Sequence, residues 1–420
     1  MPRGDETMKK PTVQLWTRSF TLVTIATALG AAGGIAGGFA LSFLVFDETG
    51  STLASALIVA IQLVPNIFIP FLVAPLMDRL PRKAFLVGGD ICNGLVYGGM
   101  GLWLMRFDFS YVGYLGVSVL LACLSSVDRL AYTSIYPQLI PTGAEQKGYA
   151  VSSMLYPILT VIMTPLAAVL LDTLGVPLLL VLQGALSLAA ALTENFIRLE
   201  ERRQAQRQRY TMAAWRADIR EGLAYLKEER GVRSIYEYMS VTNGVAGGYA
   251  PILVAFFRTM PGMTAAMYSL FSVAEFAGRT IGSAVQYRVD IPQKKRFGFV
   301  FAVYQTYELM DMLLLWLPYP LMLVNRGLCG FLGNNSAILR EAAVQRYIPE
   351  ALRARVNALF DMMLTAASGV CALAVGALGE VLDYRLCVTL CGAVAMAACW
   401  LLIWGRRTAV RGVYEKEDAA

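Results

Sequence analysis

Long uncharged stretches of apolar residues alternate with short charged segments along almost the whole chain. No charged side chain occurs from Thr49 to Met77, and Asp90 is the only one from Ala84 to Met105. A helix rises about 1.5 Å per residue and the hydrocarbon core of a bilayer is about 30 Å thick, so about 20 such residues suffice to cross a membrane. Twelve stretches are long enough, and the pattern predicts membrane-spanning helices at residues 17–45, 51–77, 84–105, 111–135, 148–171, 175–197, 233–257, 263–287, 297–316, 320–340, 356–380 and 385–405.

The twelve predicted spans divide into two sets of six. We predict an N-terminal segment at 1–16, a six-helix bundle at 17–198, a linker at 199–232, a second six-helix bundle at 233–405 and a tail at 406–420. Within the linker, four apolar residues share one helical face, namely Trp215, Ile219, Leu223 and Leu226. This spacing favours an amphipathic helix, which either lies on the inner membrane surface or acts only as a tether between the bundles.

The two halves also carry matching residues at a constant offset. At an offset of 208, Ile140-Pro141 aligns with Ile348-Pro349, and Gly184-Ala185 aligns with Gly392-Ala393. The charged segment that begins at Asp78 has an echo that begins at Asp290, at an offset of 212. Together with the equal span counts, these matches predict an all-α membrane protein of two pseudo-symmetric six-helix bundles, related by an axis normal to the membrane.

The composition agrees with a multi-pass membrane protein and sets its orientation. The chain is 57% hydrophobic and 16% charged, with a mean hydropathy of +0.54, whereas soluble domains are about 25% charged. If the N-terminus is cytoplasmic, 30 of the 36 Lys and Arg residues lie on the cytoplasmic side. The positive-inside rule therefore places both termini in the cytoplasm, in a cell (inner) membrane. The net charge of +6 then follows from topology, and we expect no nucleic-acid partner and no cleavage of the first span.

Several function classes are excluded by the chemistry that the sequence lacks. There is no histidine, and the seven cysteines all fall within apolar spans without metal-ligand spacing, so we expect no metal site and no disulfide framework. No G-x-x-x-x-G-K-[ST] segment is present, which argues against ATP hydrolysis. We expect a protein that is not an enzyme, needs no cofactor and works as a monomer in the lipid bilayer.

The short segment between spans two and three resembles the signature turn of the major facilitator superfamily, G-x-x-x-D-R-x-G-R-[RK]. Asp78, Arg79, Arg82 and Lys83 stand at the expected spacing, whereas Ala74 and Pro81 replace the two glycines. Within that superfamily the chain is similar to the branch of enterobactin exporters and macrolide-efflux proteins. The residues that support this are Thr17-Arg18-Ser19-Phe20, the segment from Phe46 to Ser51, Asp90, and Ile348-Pro349-Glu350.

The resemblance implies a cytoplasmic gating motif and a mechanism. Asp78 would lie against the N-terminus of span eleven, and Arg82 would bridge to Asp128, so that this turn holds the halves together in the outward-open state. Asp90 of span three would be a structural partner of the same turn. The motif then comprises Asp78, Arg79, Arg82, Lys83, Asp90 and Asp128.

Charged residues inside the predicted spans are candidates for coupling chemistry. A charge at bilayer depth costs at least ~2.5–3.5 kcal/mol, so it is retained where a partner or a function compensates. Glu275 and Arg279 are spaced to pair along one helix, with a purely structural role as the alternative. Glu308 and Asp311 also share a face and repel each other, which favours a proton on one of them. Arg326 would neutralise the other, and Asp361 belongs either to the same cavity or to the wetted cytoplasmic end of its span.

Two glycine stripes run along the first span. Gly30, Gly34 and Gly38 form one, and Gly33 and Gly37 form the other. Such stripes favour close helix packing, with contact to a substrate as the alternative.

The sequence thus predicts a secondary active transporter. Our leading hypothesis is a proton-coupled exporter of a small amphipathic organic compound, of drug, macrolide or siderophore type, that works by alternating access. The alternatives are a lipid flippase, an importer or a uniporter of the same fold, and a non-transporting membrane sensor or scaffold.

Overall fold

The computed structural model describes residues 14–77, 81–141, 144–198, 212–288 and 291–415, and they are almost entirely helical. Asp78, Arg79, Asp290 and the first part of the linker lie outside the described residues. The first half contains α1 (Arg18–Thr49), α2 (Thr52–Met77), α3 (Arg82–Leu104), α4 (Tyr111–Leu139) and α5 (Glu145–Asn195). The second half contains α6 (Met212–Glu228), α7 (Arg230–Thr259), α8 (Ala265–Arg288), α9 (Arg296–Leu313), α10 (Tyr319–Tyr347), α11 (Glu350–Gly379), α12 (Tyr384–Ala398) and α13 (Arg407–Tyr414).

The long helix α5 contains two of the predicted spans. Gly175, at φ +75°, interrupts its helical geometry and separates the segment 145–174 from the segment 176–195. A residue with a side chain is strained at this φ, so the glycine is what permits so short a connection. Every predicted span now corresponds to a helical segment, and the all-α expectation is confirmed.

Within the described residues, seven helical segments are long and apolar enough to cross a membrane by length and composition, and one of them covers both halves of α5. The remaining spans, α3, α8, α9 and α10, are more polar because they carry the in-span charges Asp90, Glu275, Glu308 and Arg326.

Helix packing repeats from one half to the other. In the first half α1 packs on α5, α2 on α4, and α3 on the second segment of α5; in the second half α7 packs on α11, α8 on α10, and α9 on α12. The repeated glycines lie at equivalent crossings: a Cβ added to Gly184 would lie 2.7 Å from the carbonyl oxygen of Gly94, and one added to Gly392 would lie 3.1 Å from that of Glu308. Likewise Ile140 ends α4 and Ile348 ends α10.

The two bundles meet through α2 against α11 and through α5 against α8. We call the end of the bundles with the α1–α2 and α7–α8 connections the distal end, and the end with the chain termini the proximal end. A buried apolar cluster near the distal end draws on both halves and includes Phe43, Ala167, Val254, Ala255 and Ala265. The halves are therefore packed together at the distal end.

Two helices outside the spans are docked on the second bundle. In α6, Leu226 is buried in the core and Glu221 pairs with Arg355 of α11 at 2.8 Å, while Leu223 stays exposed. The amphipathic linker helix is therefore packed against the second bundle. In the predicted tail, α13 buries Val410 and Tyr414, so the part of the tail from 407 to 414 belongs to the bundle core.

Candidate functional site

A cavity of about 540 Å³ lies between the two bundles. Its walls come from α1, α2, α3, α4 and α5 of the first half and from α7 and α8 of the second. Along α2 and α4 the lining begins near the distal end, at Ser55 and Tyr114, and reaches mid-span at Asn66 and Ser125. A small-molecule site measures about 300–1,000 Å³, so the cavity fits a compound of that class.

The glycine stripes of α1 have two different roles. A Cβ added to Gly33 or Gly37 would contact Gln183 of α5, so this stripe packs one helix on another. A Cβ added to Gly34 or Gly38 would meet nothing within 4 Å, and both of these glycines line the cavity. The packing interpretation therefore holds for Gly33 and Gly37. It is wrong for Gly34 and Gly38, which leave open space in the cavity because glycine has no side chain.

Amides and hydroxyls supply the polar part of the lining. Ser126 donates a hydrogen bond to Oδ1 of Asn66 at 2.7 Å, which leaves the amide nitrogen of Asn66 as a donor. Thr160 and Thr164 each donate to the backbone carbonyl four residues earlier, at 2.9 and 2.7 Å, so their oxygens remain acceptors. The cavity wall therefore presents both donors and acceptors to a bound molecule.

Aromatic rings from both bundles close the distal side of the cavity. Tyr268 of α8 stacks on Phe39 of α1 with ring centroids 6.2 Å apart. It also makes a T-shaped contact with Phe43, with ring centroids 5.9 Å apart. All three residues line the cavity.

On the distal side of these rings, polar contacts join the two bundles. Glu380, which follows α11, accepts hydrogen bonds from Ser51 Oγ at 2.7 Å, from Thr52 Oγ1 at 3.1 Å and from the backbone N–H of Leu53 at 2.9 Å. The single hydrogen of the Thr52 hydroxyl is shared between this carboxylate and the carbonyl oxygen of Gly376, which lies 2.8 Å away. The carboxylate thus caps the N-terminus of α2, where the helix dipole favours an anion. These hydrogen bonds lower the pKa of Glu380 below its ordinary value.

An ion pair makes the second distal contact. Arg258, near the end of α7, binds Asp47, near the end of α1, at 2.7 Å, and its guanidinium lies 4.9 Å from the centroid of the Phe43 ring. Where both partners are described residues, the side-chain hydrogen bonds that join the bundles lie at this end. We call this group of contacts the distal closure.

The buried charges predicted in the second half form a network inside that bundle. Arg326 of α10 donates to Asp311 of α9 at 3.2 Å and to the hydroxyl of Tyr249 of α7 at 3.0 Å. Tyr249 in turn donates to the other oxygen of Asp311, at 3.5 Å. Arg326 and Tyr249 are each only 8% exposed. The structure therefore brings Asp311 and Arg326 together as a neutral pair and adds Tyr249, whose role the sequence did not indicate.

Glu308 lies one turn away in a different environment. It is 2% exposed and accepts hydrogen bonds from Thr242 at 2.9 Å and Tyr238 at 3.1 Å. Among the described residues, no ion pair includes it. An ionised carboxylate buried without a cation is costly, and protonation removes that cost.

Of the other predicted charges of the second half, Glu275 lies close enough to Asp311 to repel it, whereas Asp361 lies at a different cavity. Glu275 and Arg279 pair along α8 at 2.5 Å. Asp361 lines a smaller cavity of about 210 Å³ together with Glu341 and Arg340. Of the six charged residues predicted to couple protons or to contact substrate, none is among the described residues that line the large cavity.

The predicted gating residues that the structure describes cluster at the proximal end of the first bundle. Lys83, in the first turn of α3, donates to the carbonyls of Asn195 and Ile197 at 2.6 and 2.9 Å; Arg82 begins the same helix. The carboxylates of Asp90 and Asp128 lie close enough to repel each other. A third acid, Glu194, joins them and is 4% exposed. Sequence reasoning missed Glu194, although a lone acid at the end of an apolar span was a usable signal.

Comparison with known proteins agrees with this architecture. Residues 309–419 match the sequence model of the Major Facilitator Superfamily. No curated protein sequence matches the chain.

Solved structures with the same arrangement of helices are found at low sequence identity. Two structures of the nucleoside transporter NupG superimpose with TM-scores of 0.69 and 0.67, at 13% identity, covering 92% of this chain and 99% of theirs. A POT family transporter in complex with 5-aminolevulinic acid gives 0.66 at 12% identity, covering 93% of this chain and 96% of that one. A bacterial metal transporter gives 0.63 at 17% identity, covering 94% and 100%. These likenesses show the fold: the chain is a multi-pass membrane protein with the major facilitator architecture. Each of these three proteins is a transporter.

Proposed function

We propose that this protein is a secondary active transporter that carries a small organic molecule across the membrane by alternating access. The observation that carries this proposal is the cavity of about 540 Å³ between two six-helix bundles that are joined at the distal end. If the distal end faces outward, as the basic segments predict, a cargo in this cavity is shielded from the outside. Rocking of the bundles then exchanges distal contacts for proximal ones.

The predicted gating turn fits the opposite state of this cycle. Asp78, Arg79, Arg82 and Lys83 would hold the proximal ends together when the distal closure opens, with Asp90 and Asp128 beside them. The protein would act as a monomer in the inner membrane with both termini in the cytoplasm.

We further propose that transport is coupled to protons and directed outward. Glu308 supports coupling because it is a buried acid held only by hydroxyl groups, whereas Asp311 has Arg326 as a counterion. The direction of transport rests on the resemblance of the sequence to the efflux branch.

The test is accumulation of labelled organic compounds, among them cationic dyes, macrolides and uncharged aromatic amides, in inverted vesicles with an imposed proton gradient. We expect accumulation that collapses when an uncoupler removes the gradient. Accumulation that persists in the presence of the uncoupler would contradict proton coupling. The absence of any protein-dependent accumulation or exchange would contradict transport.

A further inference from the structure

We infer that the central cavity selects an uncharged, ring-containing molecule with several hydrogen-bonding groups. This inference deepens the proposed function and rests on it for the role of the cavity. It differs from the expectation for a cationic drug exporter, and it follows from the chemistry of the cavity wall.

The described part of the cavity wall has polar groups but no charge. Among the described residues that line it, none is Asp, Glu, Lys or Arg. On the helices of the second bundle the nearest charged groups are paired: Arg258 with Asp47, and Arg279 with Glu275, which follows Ser272 by one turn. On α4, Asp128 follows Ser125 by one turn, but it belongs to the acid cluster with Asp90 and Glu194 and does not line the cavity. A charged molecule in this site would lose its hydration without gaining a counterion, which is costly in a medium of low dielectric.

The polar groups of the wall suit a molecule with hydroxyl or amide groups. Asn66 offers an amide donor, and Thr160 and Thr164 offer hydroxyl oxygens that have already used their hydrogens. A molecule without hydrogen-bonding groups would leave the Asn66 amide nitrogen unpaired, at a cost of about 1–3 kcal/mol, and would give the two hydroxyl oxygens no donor to accept from. The wall therefore disfavours a plain hydrocarbon as well as an ion.

The aromatic groups of the wall favour a ring. Phe39, Phe43 and Tyr268 form a continuous aromatic surface that spans the two bundles. Facing rings of this kind gain about 0.5–1.5 kcal/mol beyond the area that they bury. Because Tyr268 belongs to α8 and the two Phe residues to α1, a stacked ring would contact both bundles at once.

The glycine face of α1 sets the available volume. Gly34 and Gly38 line the cavity and have open space where a side chain would stand, whereas Gly30 has the same open space but is not part of the lining. Gly34→Leu and Gly38→Leu therefore fill the cavity, and Gly30→Leu adds the same side chain on the same face of the same helix outside it. Gly30→Leu is therefore the matched control. It distinguishes filling of the cavity from a general effect of a leucine side chain on the folding of α1.

The experiment measures thermal stabilisation of the purified full chain in detergent by two series of probes. One series shares an indole ring and comprises indole-3-acetamide, which is uncharged, the anion indole-3-acetate and the cation tryptamine. The other comprises uridine and its monophosphate. We expect at least one uncharged probe to bind at least tenfold more tightly than its charged counterparts, and Gly34→Leu and Gly38→Leu to abolish this binding while Gly30→Leu retains it. Charged probes that bind as well as the uncharged ones, or no binding by either uncharged probe, would overturn the inference.

Transport assays separate this inference from the proposed function. If an uncharged probe binds in a manner that requires Gly34 and Gly38 but is not carried across proteoliposomes, the transport proposal fails and the cavity inference stands. If charged compounds are carried under a proton gradient and Gly38→Leu does not slow them, the inference fails and the transport proposal stands.

Discussion

At the scale of single residues, the second bundle holds two acids in contrasting surroundings. Asp311 accepts hydrogen bonds from Arg326 and Tyr249, whereas Glu308 accepts hydrogen bonds from hydroxyl groups only. The sequence showed that both acids lie on one face of a span, but it did not show which of them Arg326 would neutralise. That choice depends on the crossing of α9 and α10, which brings Arg326 beside Asp311, and no spacing within one helix reveals it.

Removing the arginine should destabilise the second bundle. In Arg326→Met, Asp311 would remain buried without its cation, and loss of one partner of a buried pair costs about 3–5 kcal/mol. Thermal unfolding of the purified protein measures this loss. The double variant Arg326→Met/Asp311→Leu should recover most of it, because an apolar pair leaves no charge unpaired. Equal stability of the single variant and the wild type would contradict the pairing.

Replacing the unpaired acid should separate coupling from folding. Glu308→Gln retains a carbonyl oxygen that accepts hydrogen bonds from Thr242 and Tyr238, so we expect a folded protein that exchanges cargo across proteoliposomes without accumulating it. Glu48→Gln, an exposed acid at the distal end, is the matched control and should accumulate cargo normally. Gradient-driven accumulation by Glu308→Gln at the wild-type level would assign coupling to another residue.

Acid should weaken the distal closure through Glu380. Hydrogen bonds from the N-terminus of α2 lower the pKa of Glu380 in the closed arrangement, so its stabilising effect is fully present above the ordinary glutamate value of about 4.3. The effect is lost as the pH falls through the lowered pKa, because protonation removes the charge that the helix end favours.

Hydrogen exchange of the amides from Ser51 to Ser55 measures this opening. Relative to the wild type at the same pH, Glu380→Gln should exchange faster near neutral pH, and the difference should shrink under acid. A constant difference across the whole range would show that the charge of Glu380 does not act on the closure.

At the scale of helices, much of the architecture could be predicted from the hydrophobic pattern, and the roles of helix faces could not. The predicted spans 51–77 and 148–171 correspond to α2 and to the first segment of α5, because uncharged stretches of this length have few alternatives in a bilayer. The two glycine stripes of α1 look equivalent in the sequence. They differ only because Gln183 of α5 approaches one of them, and the other faces the cavity. Gln62 and Asn66 line that cavity, but an uncharged polar residue in a span carries no specific signal.

The terminal helix α13 should prove to be part of the fold. Val410, Val413 and Tyr414 are at most 1% exposed, and the Tyr414 hydroxyl lies 3.2 Å from that of Tyr304 in α9. A fully buried apolar side chain contributes about 1.5–3 kcal/mol, so a chain that ends at Arg406 should lose several kcal/mol of stability. Thermal unfolding tests this, with a chain that ends at Glu415 as the control. Equal stability of the two truncated chains would show that α13 is dispensable.

At the scale of the whole molecule, the contacts between the bundles decide the conformation. The ion pair of Asp47 and Arg258 joins the first helix of one bundle to the first helix of the other. Such an exposed pair contributes only about 0–1 kcal/mol, which suits a contact that the proposed cycle would break and re-form.

Reversing this ion pair tests its role in the closure. Arg258→Asp places two acids together at the distal end and should shift the bundles towards separation there, whereas Asp47→Arg/Arg258→Asp should restore the closed arrangement. Distances between spin labels on the distal ends of α2 and α11, in a background without the native cysteines, report the shift. Recovery by the double variant is the expected result, and a single variant that stays closed would contradict it.

The rings and the ion pair at the distal closure also bear on membrane energetics. Phe39, Phe43 and Tyr268 form an apolar layer next to the ion pair at the distal end. Small ions and chains of water molecules do not pass easily through such a layer. In the proposed transport cycle, a protein closed in this way would not conduct ions across the bilayer between transport events. The proposal therefore implies that many copies in one membrane would leave its ion gradients intact.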